Sequence, residues 1–127
     1  MCKYFDVMIT PTDIKLSKDK KKLTVTFDEV EYSMSSEFLR VYSPSAEVQG
    51  HGPGQEVLQI NKKNVEIEKL QPTGNYAIAI HYSDSHSTGI YSWNYLHHLA
   101  TNYDKLWSEY CQKVENKQNV SYHKVVI

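Results

Sequence analysis

The stretch YAIAIHY, residues 76–82, is apolar on both faces of an extended chain, with Tyr76, Ile78, Ile80 and Tyr82 on one side and Ala77, Ala79 and His81 on the other. A strand of that kind belongs in the middle of a sheet, since only cover on both sides keeps two apolar rows out of water. The rest of the chain has to provide the flanking strands and the covering layer. Ile14 and Leu16, then Leu23, Val25 and Phe27, recur at a spacing of two, which predicts half-buried strands over residues 12–16 and 23–27 joined by a hairpin turn at 17–21. The lysines of that turn read as a solvated tip that discourages edge-to-edge association. Residues 57–60 and 65–70 read as further strands, with a turn at 71–75 containing Pro72 and Gly74 before the central strand.

Past the polar turn at residues 83–87 the period changes. Ser92 is placed to cap a short helix carrying Trp93, Leu96 and Leu99, and Thr101 with Asp104 fits the capping-box pattern for a second helix. Tyr103, Leu106, Trp107, Tyr110, Cys111 and Val114 then fall on one face of that helix and read as core. Residues 33–37, rich in Ser, suit the cap of a helical turn before Phe38, Leu39 and Arg40. The expected fold class is α+β, a small mainly antiparallel β-sheet with two C-terminal helices packed against it. One domain is expected over residues 1–114, followed by a polar C-terminal extension over 115–127 that is either an edge strand or disordered.

A chain of 127 residues buries enough surface to fold without a disulfide framework or a metal staple. Cys2 and Cys111 form no C-x-x-C pair, and reduced thiols in a cytoplasmic protein are the plain reading. The first twenty residues lack the order of a signal peptide, and no apolar run approaches a membrane span. A net charge of −1 argues against nucleic acid or an anionic membrane as partner. Arg40 is the only arginine, and a lone planar guanidinium suits one specific task better than any single lysine does.

Residues 42–55, YSPSAEVQGHGPGQ, hold two Pro and three Gly and form a long loop, the kind of segment that often carries function. Together, LRVYSPSAEVQGHGPGQ at 39–55 and NYAIAIHYSDSHSTGIYSWNYL at 75–96 resemble the family of domains similar to the N-terminal domain of gamma-butyrobetaine hydroxylase. The resemblance implies a largely antiparallel sheet with helices against it. It also implies relatives of three kinds: stand-alone bacterial proteins, modules ahead of an iron and 2-oxoglutarate dioxygenase domain, and C-terminal pieces of iron-sulfur carrier ATPases. In the hydroxylases three Cys and one His hold zinc, and the resemblance places those positions on Ser43, Ser45, Val48 or Gln49, and His86. Serine ionises far too weakly to replace a thiolate and valine has no donor atom, so the zinc site is not expected here. Nor is the dioxygenase reaction, because no H-x-D occurs in the sequence and no residues remain to build the barrel.

Ser43, Ser45, His51, Asp84 and His86 include the residue types of a hydrolase triad, but the chain has no G-x-S-x-G elbow. The favoured reading is structural: Asp84 caps its turn, His86 bonds across to the 42–55 loop, and Arg40 pins that loop to Glu47, Asp84 or a carbonyl. His97 and His98, adjacent on a helix, stand about 100° apart and cannot face one metal together; they read as surface or groove-lining residues. No cofactor and no catalytic residue is expected. The expected function is a non-catalytic protein-binding or scaffold module linked to iron-sulfur or metal metabolism. Its surface consists of Arg40, Ser43, Ser45, Glu47, His51, Asp84 and His86, with Tyr91 and Trp93 supplying apolar contact; the equal alternative for Trp93, with Tyr95, is that it only seats the first C-terminal helix on the sheet. The partner is another protein, a second copy being one form of it. The alternative is an accessory protein that holds a labile transition metal through His51 and His86.

Overall fold

The computed structural model describes residues 9–45, 48, 58–84 and 89–126. Strands β1 (Asp13–Leu16) and β2 (Lys22–Phe27) pair antiparallel, Ile14 opposite Val25 and Leu16 opposite Leu23. Their alternation puts Leu23, Val25 and Phe27 on a buried face. The turn between them is organised by Asp19, whose carboxylate accepts from the Ser17 hydroxyl at 2.6 Å and from the Lys21 amide at 3.0 Å.

Strand β3 (Val30–Ser35) completes the first sheet and was not expected from the sequence. The two-residue turn that creates it holds Asp28 at φ 52° and Glu29 at φ 69°, both in the left-handed region. Hairpin turns of this kind normally announce themselves with Asn-Gly or Asp-Gly, and a glutamate in the second place hides the signal. Glu29 also strains the turn. Replacing Glu29 by Gly is expected to raise stability by about 1 kcal/mol, read from urea denaturation. A loss of stability would contradict the turn geometry.

Helix α1 (Ser36–Val41) follows at once, capped by Ser35, whose hydroxyl accepts from the Phe38 amide at 3.0 Å. The second sheet is β4 (Ile67–Thr73), β5 (Ala77–Tyr82) and β6 (Gly89–Ser92), in the order β4-β5-β6. As its two apolar faces require, β5 is central, and Ala77, Ile78, Ala79, Ile80 and Tyr82 are all buried. Three expectations shift. Strand β4 runs through Pro72, tolerated because β4 lies at the sheet edge. The turn therefore moves to Gly74, at φ 60°, and Tyr76 lies exposed beside it. Residues 58–60, expected as strand, pair with none; the Gln59 carbonyl instead accepts the Tyr110 hydroxyl at 2.5 Å. The Ile67 amide donates to the Lys20 carbonyl at 2.8 Å and ties the second sheet to the hairpin turn of the first, while the Ser36 amide donates to the neighbouring Lys21 carbonyl at 2.8 Å and fixes the start of α1 to the same turn.

Helix α2 (Trp93–Thr101) is capped by the Ser92 hydroxyl, which accepts from the Tyr95 amide at 3.1 Å, and it buries Trp93, Leu96, Leu99 and Ala100. The expected capping box does not form. The Thr101 hydroxyl donates back to the His97 carbonyl at 2.9 Å, so Thr101 closes α2, and Asn102 alone separates it from α3 (Tyr103–Val126). On α3 Tyr110 is buried and Tyr103, Leu106 and Trp107 pack against the core, whereas Cys111 is exposed. The helix continues through residues 115–126, the stretch expected as an edge strand or a disordered tail, and no Pro or Gly follows Gly89 to stop it. The result is α+β, but with two three-stranded antiparallel sheets where one was expected, and two C-terminal helices sharing a core with both. Among the described residues no helix is long and apolar enough to cross a membrane.

Candidate functional site

Helix α1 buries Ser36, Phe38, Leu39, Arg40 and Val41, so its single arginine is carried into the interior with its apolar neighbours. A guanidinium cannot shed its proton there, and it needs a counter-charge. Asp84, just past β5, supplies it: Arg40 Nε donates to Asp84 Oδ2 at 2.9 Å, with the Arg40 side chain 5% exposed. Lys62 Nζ donates to the same oxygen at 2.9 Å. The position of Asp84 is held from the other side by Ser83, whose amide donates to the Glu66 carbonyl and whose hydroxyl accepts from the Glu66 amide, both at 2.9 Å. Burial pushes the Asp84 carboxyl up, but the Lys62 hydrogen bond and the charge and hydrogen bond of Arg40 outweigh it and hold the group below the ordinary carboxylate value. Arg40 Nη1 is buried without a hydrogen-bond partner among the described residues.

Beside this clasp lies a second polar centre built on Tyr91. Its side chain is fully buried, and its hydroxyl donates to the Leu39 carbonyl at 2.5 Å. With that proton committed, the phenol oxygen can only accept from its other neighbours, the Tyr82 hydroxyl at 2.5 Å and the Ser43 hydroxyl. One donor and two acceptor positions are thus all filled. Burial pushes both phenols above their ordinary range, so the network is neutral near pH 7. Gly89 completes the junction: a Cβ there would lie 2.6 Å from Ser43 Oγ and 3.0 Å from Tyr91 Cε1, so only glycine lets β6 approach the chain after α1.

The structure places Arg40, Ser43, Ser45 and Asp84 at one junction, and of the anchors offered for Arg40 it selects Asp84. Ser45 is tied to Ser43 by its amide, which donates to Ser43 Oγ at 3.3 Å. Tyr91 and Trp93 are corrected. Expected at the surface, they are 0% and 8% exposed; Trp93 seats α2 on the sheet, its Nε1 donating to the Asn75 carbonyl at 3.0 Å. Lys62 was missed, since a lysine in the polar run NKKN carries no signal of a partner 22 residues on. Glu47, His51 and His86 lie outside the described residues.

The donor set implied for zinc does not fit a metal. Ser43 is fully buried with its hydroxyl committed to Tyr91, and Val48 is a buried hydrocarbon. Among the described residues no group of three His, Cys, Asp or Glu side chains is arranged to hold a metal ion.

A family model described as gamma-butyrobetaine hydroxylase-like, N-terminal, matches residues 14–97. Two solution structures determined by NMR are similar. One is 43% identical with a TM-score of 0.78, the match covering 88% of this chain and 89% of the other. The second is 42% identical with a TM-score of 0.73, covering 87% and 83%. A crystal structure of a protein with unknown function from Acidithiobacillus ferrooxidans, belonging to the DUF971 family, is 29% identical over 72% of this chain and 92% of that one, with a TM-score of 0.59. No curated protein matches.

Proposed function

The chain belongs to the gamma-butyrobetaine hydroxylase-like N-terminal family, and from that premise we propose that it is a non-catalytic module that binds another protein where the chain after α1 meets the turn after β5. The observation that carries this reading is the internal commitment of the carboxylate and phenol groups there, Arg40 Nη1 being the buried polar atom left without a partner among the described residues. Arg40 is neutralised by Asp84, Asp84 by two cations, and the Tyr91 oxygen by three hydrogen bonds. Groups held this way brace a surface; a nucleophile or general base needs a free lone pair facing a substrate. Next to them, on the outer side of β6, Ile90 is 54% exposed and offers the apolar contact that the buried Tyr91 and Trp93 do not. The likeness to modules that accompany dioxygenase and iron-sulfur carrier domains directs the search for the partner to metal-linked metabolism.

Ile90→Glu tests the proposal, because the side chain is exposed and its loss leaves the core intact. The variant is expected to melt within about 2 °C of the parent, in keeping with an exposed position. In quantitative pull-downs it is expected to lose a protein that the parent retains. Identical partner sets from the two proteins would overturn the reading.

A further inference from the structure

A concavity lies between the end of α1 and the two C-terminal helices. Its volume is about 490 Å³, in the range of small-molecule sites. Val41, Tyr42, Leu99 and Leu106 form its walls, with His98 and Lys113 at the rim. Three lining tyrosines have turned their hydroxyls onto main-chain carbonyls: Tyr42 to Leu106 at 2.8 Å, Tyr95 to Tyr42 at 2.6 Å, and Tyr110 to Gln59 at 2.5 Å. Each bond joins two different segments and braces the walls. Burial pushes Tyr95 and Tyr110 up to about 12, and they stay neutral donors at physiological pH.

Two consequences follow for what the groove accepts. With the hydroxyls turned away, the phenols present ring carbon to a ligand, and the carbonyls of Tyr42, Gln59 and Leu106 already have donors. That leaves little for a peptide that docks by main-chain hydrogen bonds and favours a ligand recognised by shape and charge. Among the described residues that line the groove, Lys113 is the one lysine and none is a carboxylate; Lys113 is exposed and makes no ion pair among the described residues. Glu109, one turn earlier on α3, acts on Tyr42 from outside it.

We propose that this groove binds a small amphipathic carboxylate, its apolar body against Leu99 and Leu106 and its head group at Lys113. The inference is independent of the protein-binding reading, which rests on Arg40, Asp84, Tyr91 and Ile90, none of them in the groove lining. The test uses the full chain and three probes of equal length, octanoate, octanol and octylamine, titrated at pH 7 and followed by the methyl resonances of Leu99 and Leu106. Octanoate is expected to shift those methyls with roughly tenfold tighter binding than octylamine and tighter binding than octanol. Lys113→Glu, an exposed substitution that the fold tolerates, is expected to weaken octanoate about tenfold and to favour the amine. Equal binding of the three probes, shifts confined to other residues, or an unchanged preference in the variant would overturn the proposal.

Discussion

Asp84→Ala is expected to destabilise the protein by about 3 kcal/mol and to lower its melting midpoint by roughly 10 °C, because it strands the permanently charged Arg40 in the interior. The Arg40 side chain is 5% exposed, so water cannot take over the role of the carboxylate. Lys62→Ala removes the other cation from the same oxygen, but Lys62 is 21% exposed and its loss leaves Arg40 paired, so it is expected to cost less than about 1 kcal/mol. Urea denaturation of the two variants at pH 7 checks the asymmetry. A pH series adds a second reading. The Asp84 carboxyl is held below its ordinary value when folded, so its contribution is complete above about pH 4 and fades as pH falls through the folded pKa. The gap between parent and Asp84→Ala is therefore expected to stay constant near neutrality and to narrow in acid. Equal losses in the two variants, or a gap that widens in acid, would contradict the assignment.

Tyr91→Phe is the second large effect, expected at about 2 to 3 kcal/mol although it removes a single oxygen. That oxygen is the hub of three hydrogen bonds, and its loss leaves the Leu39 carbonyl without its phenol donor in a buried setting. Tyr82→Phe removes only one of the donors to the hub and leaves the Tyr91 to Leu39 bond in place, so about 1 kcal/mol is expected. Denaturation of both variants separates a hub from an equal pair. A cost for Tyr82→Phe as large as that for Tyr91→Phe would show that the proton of Tyr91 does not go to Leu39.

What the sequence reveals about this protein is what short-range rules can carry. The β1–β2 hairpin, the Ser35 and Ser92 caps and the buried middle strand each depend on residues within one period of each other, and each is found. Strand β3 is hidden because its turn uses Asp-Glu where glycine is the usual sign. Strand β6 is hidden because it has four residues and one of them is the glycine that its close approach to Ser43 demands. At the site, the lone arginine points to a carboxylate such as Asp84, while Lys62 comes in from a segment with no pattern of its own. The aromatic pair was misread for a physical reason. Tyr91 and Trp93 look like surface anchors beside an arginine, yet each finds a main-chain carbonyl for its polar atom, and that lets the whole ring be buried.

Arg40 is an interior charge whose need for a partner is met by Asp84. A double-mutant cycle with Arg40→Met and Asp84→Ala tests this most directly, since removing both members of a buried pair relieves what removing one creates. The expected result is that adding Arg40→Met to Asp84→Ala restores stability, making the double variant more stable than Asp84→Ala alone by about 1 kcal/mol or more. If the two losses simply add, Arg40 is not held by Asp84 and the clasp does not support the surface assigned to it.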